Sequence, residues 1–262
     1  MTNEMAEKRR PLKVDLHVHS SADPVDNLPL DMAATIELAA AHGYDAIALT
    51  HHEAHITADR AAAEASERTG VLVLPGIEAS LDDGAHVLVI NSGREIEDVR
   101  SLAELARFKR EEHLVIPAHP YYPGFGLGHR KLERWAQTFD ALELCHFWNR
   151  WVGWPNRRAA EFCRAHDLPL VATGDVHLPG QIDRSYALVD ASRDPRAIVD
   201  AVRAGRFESV TEPVSIVEMV TLLGTITLRN QIAGSRFWSR LPRIFRDVYV
   251  PRRHSEPQTM AQ

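Results

Sequence analysis

Short apolar runs alternate with amphipathic segments along most of the chain. The run LKVDLHV at residues 12–18 is typical of a β-strand, whereas residues 30–43 carry apolar positions at helical spacing and end at Gly43. The same alternation continues to about residue 205. Further strands are predicted at 44–50, 71–79, 86–90, 114–119, 139–145, 168–175 and 185–191, and further helices at 57–69, 95–111 and 156–166.

This alternation favours an α/β fold. Strands that are separated by helices indicate a mostly parallel sheet, and this number of units favours a closed or nearly closed barrel over an open sheet. We therefore predict a distorted (β/α)7-type barrel over residues 1–211. A basic helical C-terminal extension is predicted to follow at residues 212–262.

The composition narrows the class of protein. A length of 262 residues is ordinary for one α/β barrel, and a net charge of −6 argues against binding to nucleic acid by bulk electrostatics alone. The two cysteines, Cys145 and Cys163, are too few for a disulfide scaffold and are expected to be buried free thiols. The start of the chain lacks a secretory pattern, and the longest apolar stretch, 214–228, is shorter than the ~20 residues of a spanning helix. We therefore expect a soluble cytoplasmic protein without a membrane span.

The C-terminal extension combines seven arginines with apolar and aromatic residues. Three interpretations are open: a helix that covers the bottom of the barrel, a dimer contact, or an interfacial segment that binds acidic lipid or nucleic acid. A packed or oligomer-forming extension is the default, and the second of these forms would make a homo-oligomer through this segment.

Histidine and carboxylate side chains recur where the predicted strands end. His17 and His19 are separated by one residue, which places both imidazoles on one side of the first strand. Because the carboxyl ends of barrel strands form one active face, such residues are expected to converge. Nitrogen and oxygen ligands without thiolates suit zinc, manganese or iron, and a carboxylate such as Glu78 can bridge two ions. The residues after the later strands are His51, His52, Glu78, His86, His119, Glu143, Asp175 and His177.

The ordered motifs DLHVHS, LTHHE, GIE, HVL, AHP, LEL and TGDVH resemble those of the polymerase and histidinol phosphatase (PHP) family. The resemblance covers roughly residues 12–210. It implies a distorted β/α barrel, often of seven strands, with up to three metal ions that hydrolyse phosphoesters. It therefore implies two or three divalent or trivalent ions here, of zinc, manganese or iron.

The resemblance also implies a ligand set for each ion. The first ion would take His17, His19, Glu78 and Asp175. The second would take Glu78, His86 and His119, with Glu78 as the bridge. The third would take His52, His177 and an acidic residue, for which Asp26 matches best by spacing and Asp23 is the fallback.

Two positions depart from the family pattern. The family usually has Thr-Asp-His after the second strand, whereas this chain has Thr50-His51-His52. His51 could replace the acid as a hydrogen-bond partner or ligand, or it could alter the occupancy of the third site. The last motif lacks a small hydroxyl before Asp175, although both ligands of that motif remain.

Candidates for proton transfer and substrate contact follow the same strands. His51 and His146 are the side chains that could protonate the leaving group, although a metal-bound water could also serve. The segment 145–158 mixes tryptophans with arginines, which could stack a ring and hold a second phosphate; alternatively its tryptophans pack the loop onto the barrel. The substrate-binding candidates are Arg150, Trp148 and Tyr121.

The expected function is metal-dependent hydrolysis of a small phosphomonoester or nucleotide by a metal-bridged hydroxide. A nuclease acting on short oligonucleotides is the close alternative, and histidinol-phosphate phosphatase is a narrower one. A non-catalytic metal-binding PHP module that regulates a partner is the alternative from a different class.

Overall fold

The computed structural model describes residues 10–55, 59–149 and 151–231. Within these ranges the strands are β1 Leu12–Val18, β2 Ala46–Leu49, β3 Leu72–Ser80, β4 His86–Ile90, β5 Leu114–Pro117, β6 Leu142–Cys145, β7 Leu170–Thr173, β8 Ser185–Val189 and β9 Phe207–Thr211. The α-helices are α1 Met32–Ala41, α2 Arg60–Thr69, α3 Leu102–Phe108, α4 His129–Trp135, α5 Trp154–His166, α6 Pro195–Arg203 and α7 Ile216–Gln231.

The strands curl into a distorted barrel. Seven of them form one sheet in the order β5-β4-β3-β2-β1-β8-β9, and β6 pairs with β7 in a second sheet. Backbone contacts join this pair to both sides of the larger sheet. The Asp140 amide donates to the Val115 carbonyl beside β5, and the His19 amide donates to the Val176 carbonyl beside β1, both at 2.9 Å. The predicted distorted α/β barrel is therefore confirmed.

The prediction of a mostly parallel sheet is wrong for part of the barrel. β1, β2 and β3 are parallel neighbours, but β4 runs antiparallel to both β3 and β5. Only residues 81–85 connect β3 to β4, and a parallel pairing needs a crossover of a dozen residues or more. His86, which begins β4, is thereby brought beside Ser80 at the end of β3.

Several predicted boundaries also change. The helix expected over 95–111 is a short 3₁₀ turn at Arg94–Ile96 followed by α3, whose first turn is capped by the Ser101 side chain. Helix α4 and strand β9 were not predicted. Both are short elements, and an amphipathic pattern over so few residues is weak.

The strands near the N-terminus are buried on both faces, which explains their continuous apolar runs. Val14, Leu16, Ala46, Ala48 and Leu74 have no exposed surface and belong to one core cluster. Helices cover the outer faces, so each strand end is the only part of its strand that reaches the mouth of the barrel. Rigid packing of this kind fixes the positions of side chains that lie at the strand ends.

Helix α7 differs from the other helices because none of its residues is buried. Val217, Val220 and Leu223 are more than half exposed. Among the described residues, no helix combines the length and the apolar character that crossing a bilayer requires. Cys145 and Cys163 are both buried and free, as expected.

Candidate metal centre

The Glu78 carboxylate lies at the centre of the histidine cluster. Glu78 occupies the end of β3 and is only 1% exposed. Its Oε2 atom is 3.1 Å from His17 Nε2 and 3.2 Å from both His19 Nε2 and His52 Nε2. One carboxylate oxygen therefore faces three imidazole nitrogens that come from two different strand ends.

The second oxygen of Glu78 faces another pair of histidines. Its Oε1 atom is 3.0 Å from His86 Nδ1 and 3.5 Å from His119 Nε2. The antiparallel turn before β4 supplies His86, and the end of β5 supplies His119. The carboxylate is thus shared between two groups of nitrogens, which is the arrangement that a bridging ligand requires.

Asp175 completes the first group. Its Oδ1 atom is 3.4 Å from His17 Nε2 and 3.6 Å from His19 Nε2. Ligands at 2.0–2.1 Å from a tetrahedral zinc ion lie about 3.3 Å from each other. The separations among His17, His19, Glu78 and Asp175 fall around this value.

A third group lies beside His52 and His177, on the loop that follows β1. Asp26 Oδ2 is 3.0 Å from His177 Nε2 and 3.8 Å from His52 Nδ1. Asp23 Oδ2 is 3.0 Å from His52 Nδ1 and 2.8 Å from His19 Nδ1. Both carboxylates that the sequence offered for the third ion are therefore present at this group.

The donor atoms fit metal ions better than they fit one another. His19 Nε2, Glu78 Oε1 and His86 Nδ1 are buried and have no hydrogen-bond partner, although each lies close to another polar atom. Short separations without hydrogen-bond angles mean that these atoms point at shared space. A buried polar atom without a partner costs free energy, so this arrangement is best explained by ligands that converge on cations.

The electrostatics of the cluster favour ionised carboxylates. Burial opposes ionisation of Glu78, but the surrounding His17, His52 and His86 hold its pKa well below the usual value. For His177, burial lowers the pKa and the nearby Asp175 and Asp26 raise it, with a net rise to about 9. The carboxylates are therefore available as anionic ligands at neutral pH.

Glu143 supports the cluster from behind. It is fully buried at the end of β6, and its Oε1 is 2.8 Å from His17 Nδ1. The same carboxylate accepts hydrogen bonds from the Thr173 hydroxyl and the His119 amide. Because its Nδ1 proton is committed to Glu143, His17 presents Nε2 to the Glu78 side, as metal-binding histidines usually do. The sequence placed Glu143 at the rim but assigned it no role.

Asp15 fixes the strand end that carries the predicted ligands His17 and His19. Its Oδ1 accepts from the His17 amide at 3.1 Å and from the Gly174 amide at 2.8 Å. Burial raises its pKa and these two amide hydrogen bonds oppose the rise, with a net increase to about 7. Asp15 thus links β1 to the loop that carries Asp175.

Two of the predicted ligands have an unusual backbone. His119 has φ 32° and Asp175 has φ 44°, in the left-handed region that non-glycine residues rarely adopt. The Asp175 carbonyl accepts from Gln181 Nε2 at 3.1 Å, which helps to hold this conformation. Strained positions of this kind concentrate at functional sites, so they support the assignment of this rim as the site.

His51 and His146, the two predicted proton donors, each lie against a neighbouring polar side chain. His51 Nε2 is 2.7 Å from Ser20 Oγ, and His146 Nε2 is 3.1 Å from Gln181 Nε2. Burial lowers the pKa of each imidazole to about 4. A low pKa disfavours the imidazolium form that a proton donor uses, and the proton-donor role of both residues stays a prediction.

The three predicted substrate-binding residues lie in different surroundings. Tyr121 is only 8% exposed within the core, and its hydroxyl lies 3.3 Å from His129 Nδ1. This burial disfavours a direct substrate contact, which stays a prediction. Trp148 donates its indole N–H to Thr211 Oγ1 at 2.9 Å, which matches the alternative that the tryptophans pack the loop. Arg150 lies outside the described residues.

Phe125 is the aromatic residue at the site that sequence reasoning missed. Its ring is 58% exposed, and its centroid is 6.3 Å from the His86 ring and 6.2 Å from the His119 ring. It belongs to the glycine-rich segment after β5, which lies beside the second group of predicted ligands.

Comparison with known proteins agrees with this architecture. The family model described as PHP-associated, PHP_C, matches residues 153–207, from the start of α5 to the start of β9. No curated protein matches the chain.

Several solved structures share the fold. A two-domain protein from Bacteroides vulgatus, described as containing a predicted PHP-like metal-dependent phosphoesterase, is 20% identical and has a TM-score of 0.59 over 79% of this chain and 66% of its own. PsfC from Pseudomonas syringae is 16% identical, with a TM-score of 0.58 over 85% of this chain and 99% of its own. The lesion-specific endonuclease PfuEndoQ from Pyrococcus furiosus is 16% identical, with a TM-score of 0.55 over 81% of this chain and 66% of its own.

The TM-scores establish the shared fold, and the chain spans about two thirds of the length of the Bacteroides and Pyrococcus proteins. The fold agrees with the resemblance that the strand-end motifs carry, and the PHP-associated match covers the segment from α5 to the start of β9. The chain thus shares the fold of a PHP-like protein, and residues 153–207 match the PHP-associated family model.

Proposed function

We propose that this chain is a metal-dependent hydrolase that cleaves the phosphate ester of a small phosphomonoester or nucleotide. The observation that carries the proposal is the position of Glu78, whose two oxygens lie 3.0–3.5 Å from five imidazoles. Fold neighbours that are described as a PHP-like metal-dependent phosphoesterase and as an endonuclease support the same class of reaction.

Each group of side chains would hold one ion. His17, His19 and Asp175 would hold the first, His86 and His119 the second, and Glu78 would be shared between these two. His52 and His177 would hold the third with a carboxylate from the loop after β1. When bound, divalent or trivalent ions of zinc, manganese or iron would activate water and neutralise phosphate oxygens.

The residues of the chain prepare the site for this chemistry. The Glu143 carboxylate contacts Nδ1 of His17 and fixes that ring. Asp15 accepts a hydrogen bond from the Gly174 amide and so links β1 to the loop that carries Asp175. Burial of the carboxylates below the rim keeps bulk water from screening their charges. The exposed side of the cluster is left for the phosphate group of a substrate.

Phe125 supports a substrate that carries a planar ring. Its exposed ring lies beside His86 and His119, so a base or similar ring stacked on it would place its phosphate near the second group of ligands. Stacking of a base on an aromatic side chain contributes about 1–3 kcal/mol. This favours a nucleotide within the proposed class.

The proposal is tested by metal analysis and phosphate release. The purified chain is loaded with zinc, manganese or iron and assayed on a panel of phosphomonoesters and nucleotides, with and without a chelator. We expect release that the chelator abolishes, and a loss of at least about 100-fold for Asp175→Ala because a ligand is removed. Asp190→Ala removes an exposed carboxylate outside the cluster and is the matched control.

Two outcomes would overturn this proposal. Full phosphate release by Asp175→Ala at undiminished metal content would show that the cluster is not the reactive centre. Tight metal binding with no hydrolysis of any substrate would instead favour the non-catalytic module that regulates a partner. Circular dichroism of each variant separates a lost ligand from a lost fold.

A nuclease acting on short oligonucleotides is the second candidate. The likeness to PfuEndoQ favours it, as does the exposure of Phe125 and of Trp151, which is 68% exposed. End-labelled single-stranded oligonucleotides distinguish the two candidates. Cleavage that Phe125→Ala weakens more for oligonucleotides than for a simple monoester would favour the nuclease.

A further inference from the structure

Helix α7 bridges two loops that both carry predicted ligands of the third ion. Near its N-terminal end, Glu218 Oε1 accepts a hydrogen bond from Arg184 Nη2 at 2.7 Å. Arg184 ends the loop after β7, which also carries Asp175 and His177. This contact attaches α7 to one side of the site.

The C-terminal end of α7 is attached to the loop after β1. Arg229 Nε donates to the Asn27 carbonyl at 2.7 Å, and the Asn27 amide donates to Asn230 Oδ1 at 2.8 Å. The Asn27 side-chain amide donates to the Arg229 carbonyl at 3.2 Å. Three hydrogen bonds therefore hold Asn27, the residue next to Asp26.

A fourth contact reaches Asp26 itself. Asn230 Nδ2 donates to Asp26 Oδ1, while Asp26 Oδ2 lies 3.0 Å from His177 Nε2. One oxygen of Asp26 is thus held by α7 and the other faces the third group. The orientation of this carboxylate depends on Asn230.

Asp23 is held in a different way. Its Oδ1 accepts from the Val25 and Asp26 amides at 2.8 and 3.0 Å. Its Oδ2 lies 2.8 Å from His19 Nδ1 and 3.0 Å from His52 Nδ1, whereas the Nε2 atoms of both histidines face Glu78. Although Asp23 forms a compact set with these two histidines, its contacts are those of a partner that orients them rather than of a third ligand.

We propose that Asn230 is a positioning residue for the third metal ion, because it holds Asp26 as a ligand beside His177 and His52. This inference rests on the proposed function, in which the cluster binds metal. It makes the affinity for the third ion depend on α7, a helix with no buried residue of its own. The C-terminal extension thereby becomes part of the site.

Isothermal titration with zinc or manganese alone tests the proposal without an activity assay. The wild-type chain should bind three ions. Asn230→Asp retains an acceptor for the Asn27 amide but turns a carboxylate towards Asp26. We therefore expect a 10- to 100-fold loss of affinity for one ion, which is the range that follows loss of a supporting contact. Binding of the other two ions should be unchanged. Gln231→Ala changes the neighbouring exposed amide and should bind all three ions normally.

A double-mutant cycle distinguishes positioning from general damage to α7. In an Asp26→Asn background, which has already weakened the third site, Asn230→Asp should cause no further loss of affinity. A wild-type chain that binds two ions, or Asn230→Asp with unchanged affinity for the third ion, would overturn the proposal. A wild-type chain that binds no ion would instead overturn the proposed function itself.

Discussion

Gly174 shows how closely the backbone is packed beside the predicted ligands. A Cβ atom at this position would lie 2.2 Å from Asp15 Oδ2 and 2.7 Å from Val176 Cγ2. The Gly174 amide donates to the other oxygen of Asp15, so neither residue can move away without breaking the link between β1 and the Asp175 loop. Glycine is required at this position because the neighbouring atoms leave no room for a Cβ atom, and not because of its backbone angles.

Gly174→Ala is therefore expected to destabilise the protein. Overpacking of this kind typically costs about 1–3 kcal/mol in the free energy of unfolding. Gly224→Ala is the matched control, since a Cβ at that position on α7 meets nothing within 4 Å. Urea denaturation of both variants measures the difference, and equal stability of the two would contradict the packing argument.

Glu143 is the second residue whose role can be isolated by substitution. It receives hydrogen bonds at both oxygens, from His17 and Thr173 at Oε1 and from the His119 amide at Oε2. A glutamine in its place has one oxygen and one NH₂ group, so at least one of these donors loses its acceptor.

We expect Glu143→Gln to weaken metal binding by about 10- to 100-fold, as loss of a supporting carboxylate commonly does. Competition with a coloured chelator measures the affinity. Glu161→Gln changes an exposed glutamate on α5 and serves as the control. An affinity for Glu143→Gln equal to that of the control would show that His17 does not depend on Glu143.

At the scale of elements, the Arg184–Glu218 pair attaches α7 to the loop after β7. Burial of Glu218 raises its pKa, but the hydrogen bonds from Arg184 and Ser215 have the larger effect and lower the pKa to about 2. A carboxyl whose pKa is depressed in the folded chain stabilises that state above its ordinary pKa of 4.5. This contribution is lost as the pH falls from that value through about 2.

Arg184→Gln should raise the pKa of Glu218 towards its ordinary value. Since the Glu218 side chain is 37% exposed, solvent screens the pair and we expect its loss to cost only about 0.5–1 kcal/mol at neutral pH. Carbon-detected NMR titration of the carboxylate measures the pKa. Arg193→Gln removes an arginine that contacts Asp45 instead, and it should leave the pKa of Glu218 low.

At the scale of the whole molecule, curling of the sheet is what assembles the candidate site. β3 and β5 both pair with β4, and the β6–β7 pair closes the gap between β5 and β1. This closure brings residues that are up to 160 positions apart, such as His17 and His177, into one cluster. An open sheet with the same strands would spread these side chains along an edge.

The C-terminal extension presents an exposed apolar surface on α7, and the role of this surface is still a prediction. Of its seven arginines, only Arg229 lies among the described residues, where it contacts Asn27. Val217, Val220 and Leu223 form an exposed apolar row on α7. Whether this extension packs on its own barrel or forms a homo-oligomer stays a prediction, which light scattering of the full chain addresses.

Local pattern was sufficient for most of the element types and for most of the residues in the cluster. Periodicity is a property of neighbouring residues, so β1, α1 and β3 were predicted close to their observed limits. The strand-end positions of His17, Glu78, His119 and Asp175 followed from the same pattern. The family resemblance then supplied an order for these ligands, and the fold agrees with it.

Only the tertiary structure decided the features that depend on residues far apart in the chain. The antiparallel direction of β4, the contact of Glu143 with His17 and the attachment of Asp26 to Asn230 each join distant segments. The burial of Tyr121 is likewise set by its neighbours in the core. A one-dimensional pattern records which side chains are available and at what spacing, whereas packing selects which of them face the cluster and which support it.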